Sequence, residues 1–113
     1  MGDVTATFFE SLSRRGDDPL LAKTEGTIRF DLARDGTIEH WLVRLDRGAV
    51  AVSRRRARAD CVARTEKALF DAFARGDANA MTALLRGELT FDGDPELLVR
   101  FQRLLPAAGD RTG

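Results

Sequence analysis

Asp35-Gly36 interrupts two stretches of alternating hydrophobicity, and no other feature constrains the fold of this chain as strongly. Glycine accepts the positive φ of a two-residue hairpin turn, so Asp-Gly between alternating runs predicts a hairpin of definite register. Taking Asp35 and Gly36 as the turn pairs Phe30 with Trp41 and Ile28 with Val43. Leu32 then faces Glu39, while Asp31 meets His40 and Thr27 meets Arg44 on the opposite face. Arg47-Gly48, a weaker signal of the same kind, pairs Leu45 with Val50 and Val43 with Val52. The two turns, set independently, aim Trp41, Val43 and Leu45 at one apolar face. A one-residue slip would send that whole set to solvent, so the register is well specified.

Helices are expected on either side of these hairpins. Val4, Phe8, Phe9 and Leu12 have helical spacing over Val4–Arg15, and Gly16-Asp17-Asp18-Pro19 breaks the pattern as a loop. Ser53–Arg58 reads as a basic loop. Ala59–Arg64 reads as a fourth strand, with Cys61 and Ala63 on one face and Val62 and Arg64 on the other. The period then lengthens. Thr65 is the expected N-cap of a helix carrying Glu66, Leu69, Phe70 and Phe73, closed by Gly76. Asp77 is the expected cap of a next helix with Met81, Leu84 and Leu85 in its stripe, closed by Gly87. Glu88–Asp92 alternates as a fifth strand. Asp94-Pro95 then supplies an N-cap and an N1 proline for a last helix bearing Leu97, Leu98, Phe101, Leu104 and Leu105. Pro106 ends it, and 107–113 is expected to be a disordered tail. The order α-β-β-β-β-α-α-β-α predicts an α+β fold, a single domain over residues 1–106. It should be a five-stranded, mostly antiparallel sheet with helices packed on its one apolar face.

Composition narrows the functional classes. At 113 residues the chain has room for one core. Its 18 cationic and 18 acidic side chains leave no global field to attract nucleic acid. Met1–Thr7 does not read as a secretory leader, and no apolar run approaches the ~20 residues of a membrane span, so a cytoplasmic setting is expected. One histidine and one cysteine make no metal-ligand set, and no glycine-rich phosphate loop is present, so no metal or cofactor is expected. In the predicted register His40 and Cys61 fall on opposite faces, which leaves no nucleophile beside a base. Arg54, Arg55 and Arg56 form the strongest local charge, read as a solvated loop or as a contact for phosphate or lipid head groups.

What remains is the apolar surface. Periodicity alone makes it a packed core. Ala63 is small where a strand normally carries a bulky aliphatic, and Met81 is an adaptable filler, as an internal cavity would need.

The residues from Ala59 to Pro106 carry a resemblance. ADCVART at Ala59–Thr65 is followed by a helix and then by GDANAMTALLRGELTFDGDPELLVRFQRLLP at Gly76–Pro106. Gly87, Leu89, Gly93 and Asp94 fit a G-x-L-x-x-x-G-D strand and turn, and FQRLLP closes the chain's last helix. In this order and spacing the chain resembles the sterol carrier protein type 2 family, in its stand-alone bacterial form. The resemblance implies an apolar tunnel between sheet and helices that binds a fatty acyl chain, acyl-CoA, sterol or other lipid without catalysis. The implied lining is Phe30, Trp41, Val43, Cys61, Ala63, Phe70, Phe73, Met81, Leu84, Leu85, Phe91, Leu98 and Phe101. It also implies a monomer or homodimer, with transient membrane contact and no nucleic-acid partner. The alternative is a structural module with a filled core that dimerises or docks onto an enzyme.

Overall fold

A computed structural model describes residues 3–14 and 19–106. Helix α1 spans Val4–Arg14, and a short 3-10 turn follows at Pro19–Leu21. Strands β1 (Glu25–Arg34), β2 (Thr37–Asp46), β3 (Ala49–Ser53) and β4 (Cys61–Glu66) come next. Helices α2 (Lys67–Arg75) and α3 (Ala80–Leu85), strand β5 (Thr90–Gly93) and helix α4 (Pro95–Gln102) complete the domain. The element order is the one the sequence predicts.

Both hairpins adopt the expected registers. Asp35 and Gly36 take φ of 50° and 80°, and Arg47 and Gly48 take 50° and 101°, so both turns have two successive positive-φ residues. Phe30 pairs with Trp41, Ile28 with Val43, Val43 with Val52 and Leu45 with Val50. The sheet order is β3-β2-β1-β4-β5. Three ladders are antiparallel and β1–β4 is parallel, with Ile28 opposite Cys61 and Phe30 opposite Ala63. Ile28, Phe30, Leu32, Trp41, Val43, Leu45, Cys61 and Ala63 are all buried on one face. The helices cover that face: α1 lies toward β3, α2 over β1 and β4, and α4 over β1 and β4.

Several boundaries differ from expectation, each for a local reason. Thr65 does not cap α2. It extends the parallel ladder opposite Leu32, and its hydroxyl donates to the Glu88 carbonyl at 2.9 Å, so Glu66 takes the N-cap position without a side-chain cap bond. Asp77 does not cap α3, because its carboxylate accepts from Arg75 Nε at 2.9 Å. The cap is Asn79, whose Oδ1 accepts from the Thr82 amide at 2.9 Å. Strand β5 starts at Thr90 and not Glu88, since the Glu88 and Leu89 amides both turn back to the Ala83 carbonyl. Leu104 and Leu105 lie just past α4, in turns where each amide bonds three residues back. Arg15, the Gly16–Asp18 part of the expected loop and the expected tail 107–113 lie outside the described residues.

Gly93 illustrates how tightly the strand ends meet. Its φ is 104°, and a Cβ there would run into the Asp60 carbonyl oxygen, which accepts the Asp94 amide at 2.9 Å. Only glycine permits this approach. Asp94 then caps α4 through the Glu96 amide, with Pro95 opening the helix.

Candidate functional site

The site builds from rings. Phe9 of α1 lies between Trp41 of β2 and Phe70 of α2, stacked at 4.7 and 5.2 Å between centroids. Phe30 of β1 meets Phe101 of α4 at 4.7 Å and Phe70 at 5.4 Å, and Phe73 sits 6.0 Å from Phe70. Within this layer is a void of ≈ 10 Å³, bounded by Phe30, Phe70, Phe73, Ala80, Leu89, Leu98, Phe101, Gln102 and Leu105. That is room for about one water, and the almost wholly apolar walls offer it few hydrogen-bond partners.

The expected lining residues divide into groups. Phe30, Phe70, Phe73, Leu98 and Phe101 wall the void. Trp41, Val43, Cys61 and Ala63 are buried in the same layer without touching it. Met81, Leu84 and Phe91 are half-buried, and of these Leu84 and Phe91 pack against the core. Leu85 does not join them, being 88% exposed. Helix α3 turns Ala80 and Ala83 inward, and with about 3.6 residues per turn Leu85 then falls on the opposite side.

Four wall residues were not among the expected lining: Ala80, Leu89, Gln102 and Leu105. A signal for two of them existed. Leu98, Phe101, Gln102 and Leu105 follow the i, i+3, i+4, i+7 pattern, so Gln102 is a polar interruption of an otherwise apolar stripe.

Polar groups border the layer at the Trp41 end. The indole Nε1 of Trp41 donates to Glu39 at 2.6 Å. The Arg54 guanidinium stands 4.3 Å from the centre of the Trp41 ring, and its Nε donates to the His40 carbonyl at 3.1 Å. Arg54 is therefore tied to the layer's edge, while Arg55 and Arg56 are exposed on the loop. Between α1 and α2, buried Lys67 holds Asp3 at 2.9 Å and Asp71 at 3.5 Å, and Thr5 donates to Asp71. Burial opposes the Lys67 charge, but the hydrogen bond to Asp3 and the charges of Asp71, Asp3 and Glu39 outweigh it and raise its pKa. A cleft of ≈ 570 Å³ opens at this cluster. Its charged rim of Asp3, Arg34, Asp35, Glu66, Lys67 and Asp71 is unsuited to an apolar ligand.

The sheet's other face carries charge as well. Arg29 grips Asp31 with two bonds of 2.9 and 3.1 Å, and His40 Nδ1 lies 2.7 Å from the same carboxylate. Burial pushes the Asp31 pKa up, yet the bonds from Arg29 and His40 prevail and lower it. His40 is thus paired across the sheet from Cys61, as the register predicts. Burial first, then the charges of Asp94 and Asp92, push the Cys61 thiol up to about 11. An inert thiol and a paired histidine on opposite faces give no nucleophile–base pair. Among the described residues no cluster of three or more potential metal ligands occurs, and no helix is long and apolar enough to cross a membrane.

Solved structures share this arrangement. The palmitated SCP2L2 of Aedes aegypti superposes with a TM-score of 0.70 at 17% identity, covering 90% of each chain. A possible sterol carrier protein of Thermus thermophilus matches at 0.65 and 17% identity, covering 95% of this chain and 91% of that one. The inverting sec-alkylsulfatase Pisa1 of a Pseudomonas species matches at 0.69 and 22% identity, where 94% of this chain corresponds to 17% of the enzyme. At these identities the likeness is one of fold. No curated protein sequence matches the chain. The model of the SCP-2 sterol transfer family matches residues 8–106, nearly the whole of the described domain, and the chain belongs to that family.

Proposed function

We propose that this chain binds and carries a single-chain lipid between its sheet and its helices, without catalysing a reaction on it. The observation that carries this reading is the small apolar space lined by Phe30, Phe70, Phe73 and Phe101, with small Ala80 in its wall. Family membership supports binding of an apolar lipid in general, and the Aedes aegypti relative of the same fold is described as palmitated. As it stands the void holds no acyl chain, so binding requires the layer to part. Ala63, Ala80 and Ala83 leave little side-chain volume to displace, and Met81 and Leu84 can adapt.

Energetics favour a carrier. Burying a 16-carbon chain yields ~12 kcal/mol gross at about 0.8 kcal/mol per methylene. Immobilisation removes roughly 4–15 kcal/mol, and parting the layer takes more, leaving modest affinity that grows with chain length. The exposed Arg55 and Arg56 would attract an anionic bilayer at about 1 kcal/mol each during transfer. Displacement of a fluorescent fatty acid and native mass spectrometry test the proposal. Micromolar binding that tightens with chain length is expected. No binding of any apolar probe, together with a concentration-dependent mass in sedimentation, would replace it with a structural, dimerising module.

A further inference from the structure

The void has a neighbour at the surface. A cleft of ≈ 270 Å³ lies between the start of α3 and the end of α4, and it shares Ala80, Gln102 and Leu105 with the void's wall. Three side chains therefore line both the apolar space and a cleft open to solvent. The clefts at the Lys67 cluster, over Phe8 and Ala74, and on the outer sheet face beside Ile38 share no wall residue with the void. The separating wall is also lightly held on one side, since Leu105 lies past the end of α4 in a turn closed by a single bond to the Gln102 carbonyl at 3.1 Å. The cleft's own lining carries one cation, Arg103, and no acid. Arg103 is exposed and makes no ion pair with the described residues. The Asn79 carbonyl is occupied in capping α3, which leaves its amide NH₂ able to donate.

Resting on the lipid-binding reading above, we propose that the ligand enters between α3 and α4 and lies with its tail in the void and its head in this cleft. The head group is anionic, facing Arg103, with Gln102 and Asn79 as hydrogen-bond donors and Leu105 as the side chain that yields to the tail. Gln102 then has a reason to interrupt the apolar stripe of α4. It is the point where the ligand changes from hydrocarbon to polar head.

Competition by dodecanoate and by 1-dodecanol against a fluorescent fatty acid tests this on the full chain, because the two competitors differ only in head group. Arg103→Glu should weaken dodecanoate about tenfold and dodecanol less than about twofold. Arg44→Glu makes the same charge change at an exposed position of β2 and should alter neither. Leu105→Trp, with its fold checked by circular dichroism, should weaken both competitors. An unchanged ratio of dodecanoate to dodecanol affinity in R103E, or a changed one in R44E, overturns the head-group position while leaving lipid carriage intact. Failure of the unaltered chain to bind any probe removes both readings.

Discussion

Phe9 and Trp41 stack 4.7 Å apart with their planes 15° from parallel, joining the first helix to the middle of a sheet strand 32 residues later in the chain. Phe9 is fully buried, and its other face stacks on Phe70. Phe9→Ala should destabilise the domain by about 3–5 kcal/mol, as expected for loss of a buried aromatic. Trp41 is the chain's one tryptophan, so the same variant should shift its emission to the red as water reaches the ring. Urea melts followed by fluorescence measure both. A loss below about 1 kcal/mol would mean that α1 is not held by this stack.

Lys67 offers a test of buried charge. Asp71→Ala removes one of its two carboxylate partners and should cost about 2 kcal/mol, while Lys67→Met should cost less because no cation is left buried. The folded-state pKa of Lys67 lies above the unfolded one, so its contribution is complete below about pH 10. It is lost as pH rises through the folded value. Stability measured from pH 9 upward should fall in the parent chain and much less in K67M.

Asp31 works in the opposite sense. Its folded-state pKa is below the unfolded value of about 4, so its stabilisation is present above that pH and disappears as pH falls through the folded value. Asp31→Asn should cost about 2–3 kcal/mol at pH 7, with Arg29 and His40 left facing a neutral amide. The difference between parent and D31N should narrow below pH 4 in chemical denaturation. A gap that stays constant down to pH 2 would remove the ion pair as its cause.

Cys61 should resist thiol reagents. With its pKa raised to about 11, only about 1 in 1,000 molecules carries the thiolate at pH 8, and the sulfur is wholly buried. Labelling of the native chain should run more than about 100-fold slower than labelling in denaturing urea. Comparable rates in the two conditions would show that β4 opens readily.

Much of this was legible in sequence because the responsible interactions are local. A two-residue turn dictates the register of both hairpins, and the pleat then decides which side chains share a face; Trp41, Val43 and Leu45 needed nothing further. Asp94-Pro95 likewise announced α4. Local signals failed where a distant group competed for the same atoms. Thr65 lost its capping role to the Glu88 carbonyl, and Asp77 lost its own to Arg75. Leu85 reads as part of a buried stripe until Ala80 and Ala83 are seen to form the inward side of α3.

The sequence by itself determined the elements, their order, the apolar face of the sheet and the placement of His40 and Cys61 on opposite faces of it. These follow from periodicity and turn chemistry within a few residues. Only the tertiary structure decided that β4 runs parallel to β1, that Phe9 stacks between Trp41 and Phe70, and that Ala80, Gln102 and Leu105 separate a void from a surface cleft. Periodicity tells which side of an element is apolar but not which other element covers it. That choice depends on how side chains of unlike size fill one shared space, and the unfilled remainder is where a ligand would go.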